Sequence, residues 1–106
     1  MPKYLIQASY TAEGLKGLMK DKASGRKAAV EKALASLGGK VEGFYYSFGD
    51  YDVVVIVDGP DNISAAAVSI ATTASGLVRT KTTPLLTVEE TDKALAKSVT
   101  YRGPGH

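Results

Sequence analysis

Tyr51 and Asp52 are the adjacent residues whose types are best suited to chemistry. A carboxylate beside a phenol could act as a general base and a hydrogen-bond donor toward a small polar ligand. Both residues follow Gly49 and Asp50, in a stretch that joins two apolar segments as a tight hairpin, because glycine and aspartate tolerate positive φ. The sequence therefore identifies Asp52 as a candidate catalytic base and Tyr51 as a candidate catalytic residue beside it. A structural alternative stays open, in which Asp52 accepts backbone N–H bonds and Tyr51 packs across a dimer.

Two arginines are predicted to contact the ligand. Arg26 and Arg79 could clamp a carboxylate or a phosphate, because the planar guanidinium group suits bidentate recognition of these anions. Arg26 has an alternative role as the partner of Asp50 or Asp52 in a salt bridge that ties a helix to the turn.

Aromatic residues supply the remaining predicted ligand contacts. The chain has six tyrosines and two phenylalanines. Tyr10, Phe44, Tyr46 and Phe48 fall on apolar strand faces, where they line either a core or a pocket. The excess of tyrosine over phenylalanine favours polar tips that point into a cavity, so Tyr10 and Tyr46 join the two arginines as predicted ligand-binding residues.

Several kinds of catalytic site lack the residues they need. The chain has no cysteine, and His106 is its single histidine. A Ser/His/Asp or Cys/His set cannot be assembled, and the acidic residues show no clustered spacing for a metal ion. No glycine-rich phosphate loop follows a strand. The sequence predicts no metal and no cofactor, and it leaves open whether the protein is an enzyme.

Charge and hydropathy favour a protein that binds neither nucleic acid nor a membrane. The net charge is +2, and the basic residues between positions 16 and 27 have no interleaved aromatics, which is typical of a solvated helix face. No apolar segment approaches the roughly 18 to 20 residues that span a bilayer, and the N-terminus lacks the pattern of a signal peptide. We expect a cytoplasmic protein.

Hydrophobic periodicity predicts a single domain over residues 1–98, followed by a flexible tail over residues 99–106. The predicted strands cover residues 3–10, 41–48, 52–58 and 77–83. The predicted helices cover residues 23–37, 62–74 and 87–98, preceded by a short helix that Thr11 caps.

The apolar patterns also predict where these elements lie. Residues 53–57 are apolar on both faces, which favours a central strand, whereas Pro84 and neighbouring charges mark the last strand as an edge. The alanine-rich second helix is predicted to bury four residues, Ile63, Ala66, Ala67 and Ile70.

The order of elements predicts an α+β, ferredoxin-like βαββαβ fold with an extra C-terminal helix and an antiparallel four-stranded sheet. Helices on one face leave the other face uncovered. Its apolar occupants are either Val53, Val55 and Val57 or Val54 and Ile56. An exposed patch of that kind implies a partner, so we expect a homodimer with two sheets packed face to face, or a higher oligomer.

Six short motifs occur in order along the chain: Tyr10-Thr11 with Gly14, Arg26, Gly38-Gly39, Gly49-x-Tyr51-Asp52, Pro60-Asp61, and Gly-Leu-Val-Arg-Thr at positions 76–80. In these motifs the chain resembles the GYD domain family, over about residues 4–90. The family's name suggests contiguous Gly-Tyr-Asp, and this chain has Asp50 inserted. The resemblance implies a dimeric α/β barrel.

The resemblance does not by itself imply an activity, since similar barrels serve as cofactor-free oxygenases, isomerases, haem enzymes and amino-acid-sensing modules. The leading hypothesis is a homodimeric small-molecule-binding α/β barrel. One alternative is a cofactor-free isomerase or oxygenase that acts on an aromatic or enolisable substrate with Asp52 as the base. The other is an assembly or interaction module whose function is its oligomer.

Overall fold

The computed structural model describes residues 1–106 as one antiparallel sheet with three helices. The elements in chain order are β1 (Lys3–Tyr10), α1 (Ala12–Ala35), β2 (Lys40–Tyr46), β3 (Val53–Asp58), α2 (Asn62–Ala74), β4 (Val78–Leu85) and α3 (Val88–Leu95). The strand order is β2-β3-β1-β4, so β1 and β3 are central and β4 is an edge. This confirms the α+β, ferredoxin-like prediction with an extra C-terminal helix.

The alternation of side chains along the strands separates a core face from an open face. The core cluster contains Tyr4 and Ala8 from β1, the three odd-numbered valines of β3, and Leu34 of α1. Val54 and Ile56 point the other way and are half-buried, and Leu5 pairs with Ile56 in the register. The uncovered face is therefore the one that carries Val54 and Ile56, which decides between the two sets that the sequence left open.

A break at Lys22 divides α1 into two halves. Lys22 has φ 65° and ψ 167°, outside the helical region, and residues other than glycine rarely adopt such a backbone. The two halves correspond to the short helix and the first long helix that the sequence predicts. The Thr11 side chain caps the first half by accepting the N–H of Gly14 at 3.2 Å, and Gly38 follows the second half with φ 80°.

The other predicted helix starts are confirmed. Asp61 accepts the N–H of Ser64 at 2.7 Å and begins α2. Thr87 and Glu90 form the predicted capping box at the start of α3. These starts are predictable because a cap depends on residues three positions apart.

The predicted buried stripe of α2 is wrong. Ile63 and Ile70 are 82% and 69% exposed, whereas Ala65 and Val68 pack against the core. The helix is alanine-rich on all sides, so its periodicity did not distinguish its faces. A hydrogen bond of 3.1 Å between the hydroxyls of Ser69 and Thr80 holds the observed face toward β4.

The predicted second strand extends beyond the observed one. β2 ends at Tyr46, and Phe48 lies beyond it with 98% exposure. The register shifts between Val41 and Gly43, which is a bulge that interrupts strict alternation. Of the aromatic set, Tyr10 and Phe44 pack against the core, and the ring of Phe44 lies 5.4 Å from that of Tyr46.

Candidate functional site

A cavity of about 240 Å³ lies beside the break in α1. Its walls come from the first half of α1, the ends of β1 and α2, and the start of β4. The lining residues are Tyr10, Gly14, Gly17, Leu18, Asp21, Arg26, Thr72, Ser75, Leu77 and Val78.

One face of the first half of α1 forms a wall of this cavity. Gly14, Gly17, Leu18 and Asp21 all line it, and their spacing of i, i+3, i+4 and i+7 places them on one side of a helix. Gly14 permits the close approach of this wall to β4, since a Cβ there would lie 1.9 Å from the carbonyl oxygen of Leu77. Gly17 differs, because a Cβ there would meet nothing within 4 Å.

The contact between α1 and β4 is reinforced by hydrogen bonds at Thr11. The backbone N–H of Thr11 donates to the carbonyl oxygen of Leu77 at 3.0 Å. The Thr11 hydroxyl lies 3.1 Å from the carbonyl oxygen of Gly76 and 3.2 Å from that of Leu77. The start of the helix is therefore held against the strand that forms the opposite wall.

Arg26 and Asp21 bring charge to the cavity from the two sides of the Lys22 break. Nη1 of Arg26 lies 3.7 Å from Oδ2 of Asp21, which is too far for a hydrogen bond between the two side chains. Arg26 makes no other ion pair, so most of its five N–H donors remain available to a ligand. The expected alternative partners, Asp50 and Asp52, form no ion pair with it.

Tyr10 lines the cavity, and Tyr46 lies behind it at the break in α1. The Tyr46 hydroxyl donates to the carbonyl oxygen of Ala23, just after the break, at 3.0 Å. Burial, and then the neighbouring Tyr10 phenol, raise the pKa of Tyr46, while Arg26 acts in the opposite direction. Tyr46 therefore stays protonated near neutral pH and remains a hydrogen-bond donor. Three of the four predicted ligand-binding residues thus gather at this break.

The hydroxyl groups on the α2 side of the cavity are already bonded within the chain. Thr72 donates to the carbonyl oxygen of Val68 at 2.9 Å, and Ser75 donates to that of Thr72 at 2.6 Å. Leu18, Leu77 and Val78 present apolar surface nearby. The arrangement suits a small ligand with an apolar body and an anionic group directed at Arg26.

The hairpin turn does not contribute Asp52 to this cavity. Oδ2 of Asp52 accepts the backbone N–H of Tyr10 at 2.8 Å, and the backbone N–H of Asp52 donates to Ala8 at 2.7 Å. Gly49 has φ 121° in this turn. The connection between β2 and β3 spans residues 47–52, which is longer than the tight hairpin that the sequence predicts. The carboxylate thus makes the kind of backbone contact that the structural alternative describes.

Tyr51 and Arg79 lie in a different place from the other predicted site residues. Both line an open groove of about 440 Å³ beside the start of β4, together with Ser9, Asp50, Thr80 and Lys81. The Ser9 hydroxyl donates to the carbonyl oxygen of Asp50 at 2.7 Å and holds the turn against β1. The structure therefore separates the predicted residues into a cavity group and an edge group.

The sequence did not identify Gly14, Gly17, Leu18 and Asp21 as site residues. The available signal was their common helix face, at spacings of i, i+3, i+4 and i+7. Their proximity to Leu77 and Val78 depends on tertiary structure, which periodicity does not encode.

No group of three or more histidine, aspartate or glutamate side chains is placed to hold a metal ion. None of the helices combines the length and the apolar character needed to cross a bilayer.

The fold and the cavity define a small ferredoxin-like protein with a pocket between its sheet and a broken first helix. The family model for the GYD domain matches residues 4–95, which is nearly the whole chain. The protein belongs to the GYD domain family, as its motifs indicate. No curated protein and no solved structure matches the chain.

Proposed function

We propose that the protein is a homodimeric α/β barrel that binds a small organic anion in the cavity beside the α1 break. The observation that carries the proposal is the position of Arg26, which lines an apolar-walled cavity with only one long ion pair to Asp21. A guanidinium group at such a place suits a carboxylate on the ligand.

The size of the cavity supports a ligand of modest dimensions. Its volume of about 240 Å³ lies below the range of about 300 to 1,000 Å³ for pockets that hold drug-sized molecules. Leu18, Leu77 and Val78 supply apolar walls, and the Tyr10 ring adds an aromatic one. A small aromatic or branched carboxylate matches this combination of size, walls and charge.

The open sheet face supports the dimer. Leu5, Val54 and Ile56 lie on it without a covering element, and Tyr45 beside them is 68% exposed. Only 9 of 106 residues are buried in the single chain, a small core for a domain of this length. Packing two such faces about a two-fold axis would remove this apolar surface from water.

The contacts of Asp52 favour binding over the enzymatic alternative. A cofactor-free isomerase or oxygenase would need its base within reach of the substrate, and Asp52 instead bonds the backbone N–H of Tyr10 and does not line the cavity. The presence of a cavity favours binding over a role in assembly alone.

The test uses benzoate and its neutral analogue benzamide as matched probes. We expect benzoate to shift the backbone amide resonances of Gly14, Gly17, Leu77 and Val78 in a ¹⁵N-labelled sample. Benzamide should bind at least tenfold more weakly, because it lacks the charge that Arg26 recognises. Equal shifts with both probes, or shifts located elsewhere, would contradict the proposed site.

Two variants of Arg26 refine this test. Arg26→Gln should remove benzoate binding, whereas Arg26→Lys should retain part of it, since lysine keeps the charge but loses the planar fork. Unchanged benzoate affinity in Arg26→Gln would show that another group binds the anion.

A further inference from the structure

The C-terminal arm, defined as residues 86–106, extends from the body of the molecule. Its residues are exposed except for Gly103, which is half-buried, and α3 within it buries no residue. The radius of gyration is 16.8 Å, compared with about 13 Å for a compact domain of this length. The arm therefore packs very little against the rest of its own chain.

The arm carries large apolar side chains in this exposed position. Leu86, Val88, Leu95, Val99 and Tyr101 are 65% to 80% exposed. Val88 and Leu95 lie seven residues apart in α3, which is the spacing of one helix face, and Val99 follows beyond the end of the helix. This face is suited to packing against another apolar surface.

The helix in the arm is too short to be stable without such packing. α3 has eight residues, and isolated helices shorter than about 12 to 15 residues are marginal in water. Its capping box fixes where it begins but cannot replace the missing packing. The sequence thus encodes a helix start and an apolar face that require a docking surface.

Unpaired charges indicate which surface the arm meets. Glu89 and Asp92 in α3 make no ion pair, and neither do Arg79 and Lys81 at the start of β4. Arg79 and Lys81 line the open groove of about 440 Å³ described above. α3 carries three acidic residues and one lysine, and the groove carries Arg79 and Lys81 together with Asp50, so the two regions have opposite net charge.

A single chain keeps these two regions apart. The groove lies at the Arg79 end of β4, and the arm leaves from its Leu85 end. Leu85 lies six positions after Arg79 in the strand, or roughly 20 Å away. To reach its own groove, the arm would have to turn back along β4. The arm of a second copy, related by a two-fold axis, can reach the groove without turning back.

We infer that the C-terminal arm of one copy docks on the sheet edge of a second copy. Glu89 and Asp92 then meet Arg79 and Lys81 of the second copy, and the apolar side chains of the arm pack along the β4 edge of that copy's sheet. Tyr51 lines the same groove and would contact the arm. The inference rests on the proposed homodimer and adds the segment that fastens it.

Engineered disulfides test the inference, because the chain has no cysteine of its own. The double variant Lys81→Cys/Asp92→Cys should, on mild oxidation, form a disulfide between positions 81 and 92 of different copies. Peptide mapping by mass spectrometry identifies the linkage. The control Lys27→Cys/Asp92→Cys places one thiol on the exposed side of α1 and should give no such product between positions 27 and 92.

The possible results distinguish a failure of the arm inference from a failure of the proposed homodimer. Sedimentation velocity of the unmodified full-length protein reports the oligomer. A monomer at all concentrations would overturn both the dimer and the arm inference. A dimer in which positions 81 and 92 fail to link, or link only within one chain, would overturn the arm inference alone.

Charge reversal supplies an independent measurement. Glu89→Lys/Asp92→Lys should raise the dimer Kd by about tenfold, since two partly exposed ion pairs are lost and replaced by repulsion. Adding Arg79→Glu/Lys81→Glu to the same chain should restore most of the affinity. If the dimer Kd stays raised after Arg79→Glu/Lys81→Glu is added, the proposed pairing of Glu89 and Asp92 with Arg79 and Lys81 is contradicted.

Discussion

The cavity beside the α1 break and the Gly49–Asp52 turn both combine tyrosine with charged residues, but they use them differently. In the turn, the Asp52 carboxylate accepts the backbone N–H of Tyr10 at 2.8 Å and ties the turn to β1. In the cavity, Arg26 has only a contact of 3.7 Å with Asp21. The Gly49–Asp52 turn therefore uses its carboxylate to stabilise the sheet, whereas the cavity leaves most of the N–H donors of Arg26 without a partner.

The two regions also differ in backbone conformation. The turn places glycine at its positive φ, with Gly49 at 121°, which costs little. The break places Lys22 at φ 65°, where a side chain is strained by about 1 to 3 kcal/mol. Strain of this kind beside a cavity is an observation that favours a functional site there.

The largest effect is expected at the cavity wall. Gly14→Ala should lower the free energy of unfolding by about 2 to 3 kcal/mol, because the added Cβ clashes with the Leu77 carbonyl and separates α1 from β4. Urea denaturation measures the change. The matched control Gly17→Ala adds the same methyl group where nothing is met within 4 Å and should stabilise by about 0.5 to 1 kcal/mol. Similar losses in both variants would show that close approach at Gly14 is not the cause.

The next effect is expected in the turn. Asp52→Ala should cost about 1 to 2 kcal/mol, because it leaves the partly buried N–H of Tyr10 without its acceptor. Asp52→Asn retains an acceptor oxygen and should cost much less. Thermal melts of the two variants check this order. If the two variants unfold alike, the hydrogen bond to Tyr10 does not explain the role of Asp52.

A smaller effect is expected at the break itself. Lys22→Gly should raise the free energy of unfolding by about 1 kcal/mol, because glycine adopts positive φ without strain. Lys27→Gly, in the regular part of α1, should instead lower it by about 1 kcal/mol. Chemical denaturation of both variants distinguishes relief of strain from a general effect of glycine. A loss of stability in Lys22→Gly would contradict the strained break.

The smallest effect concerns pH at a third region, the ion pairs of Lys3 on the open sheet face. Lys3 donates to Asp58 at 2.8 Å, which lowers the pKa of that carboxyl below 3.8. Its contribution to stability is therefore complete above pH 3.8 and is lost as pH falls through the lower folded pKa. The same contacts with Asp58 and Glu42 raise the pKa of Lys3 to about 12. The Lys3 contribution is present below pH 10.5 and lost as pH rises through about 12.

Asp58→Asn should flatten the acid limb of this profile without changing benzoate binding in the cavity. Thermal melts between pH 2 and 5 measure the acid limb. An unchanged acid limb would assign the pH dependence to other carboxylates, such as the capping residues Asp61 and Glu90, whose pKa values are also lowered by hydrogen bonds.

Local sequence signals predicted the elements of the fold but not the faces of every helix. The caps at Thr11, Asp61 and Thr87 depend on hydrogen bonds within three residues, so their positions were predictable. The face of α2 was not, because Ile63 and Val68 are both apolar and only contact with β4 selects between them. The sequence likewise did not determine which face of β3 is buried. The structure places Val53, Val55 and Val57 in the core and Val54 on the uncovered face.

The candidate site was only partly predictable for a similar reason. Residue type singled out Tyr10, Arg26 and Tyr46, and the structure brings them together at the break. Residue type also singled out Arg79, which lies in the separate edge groove. Distances between elements far apart in the chain depend on tertiary packing, and no spacing along the sequence reports them.

The central claim is that the cavity beside the α1 break binds a small organic anion, and filling the cavity tests it most directly. Gly17→Leu introduces a side chain that a helix accepts well into the open space beside Arg26. A benzoate titration followed by ¹⁵N amide shifts should show binding in the unmodified protein, weaker binding in Gly17→Ala, and none in Gly17→Leu, with all three proteins folded. Benzoate binding that persists unchanged in Gly17→Leu would contradict the account.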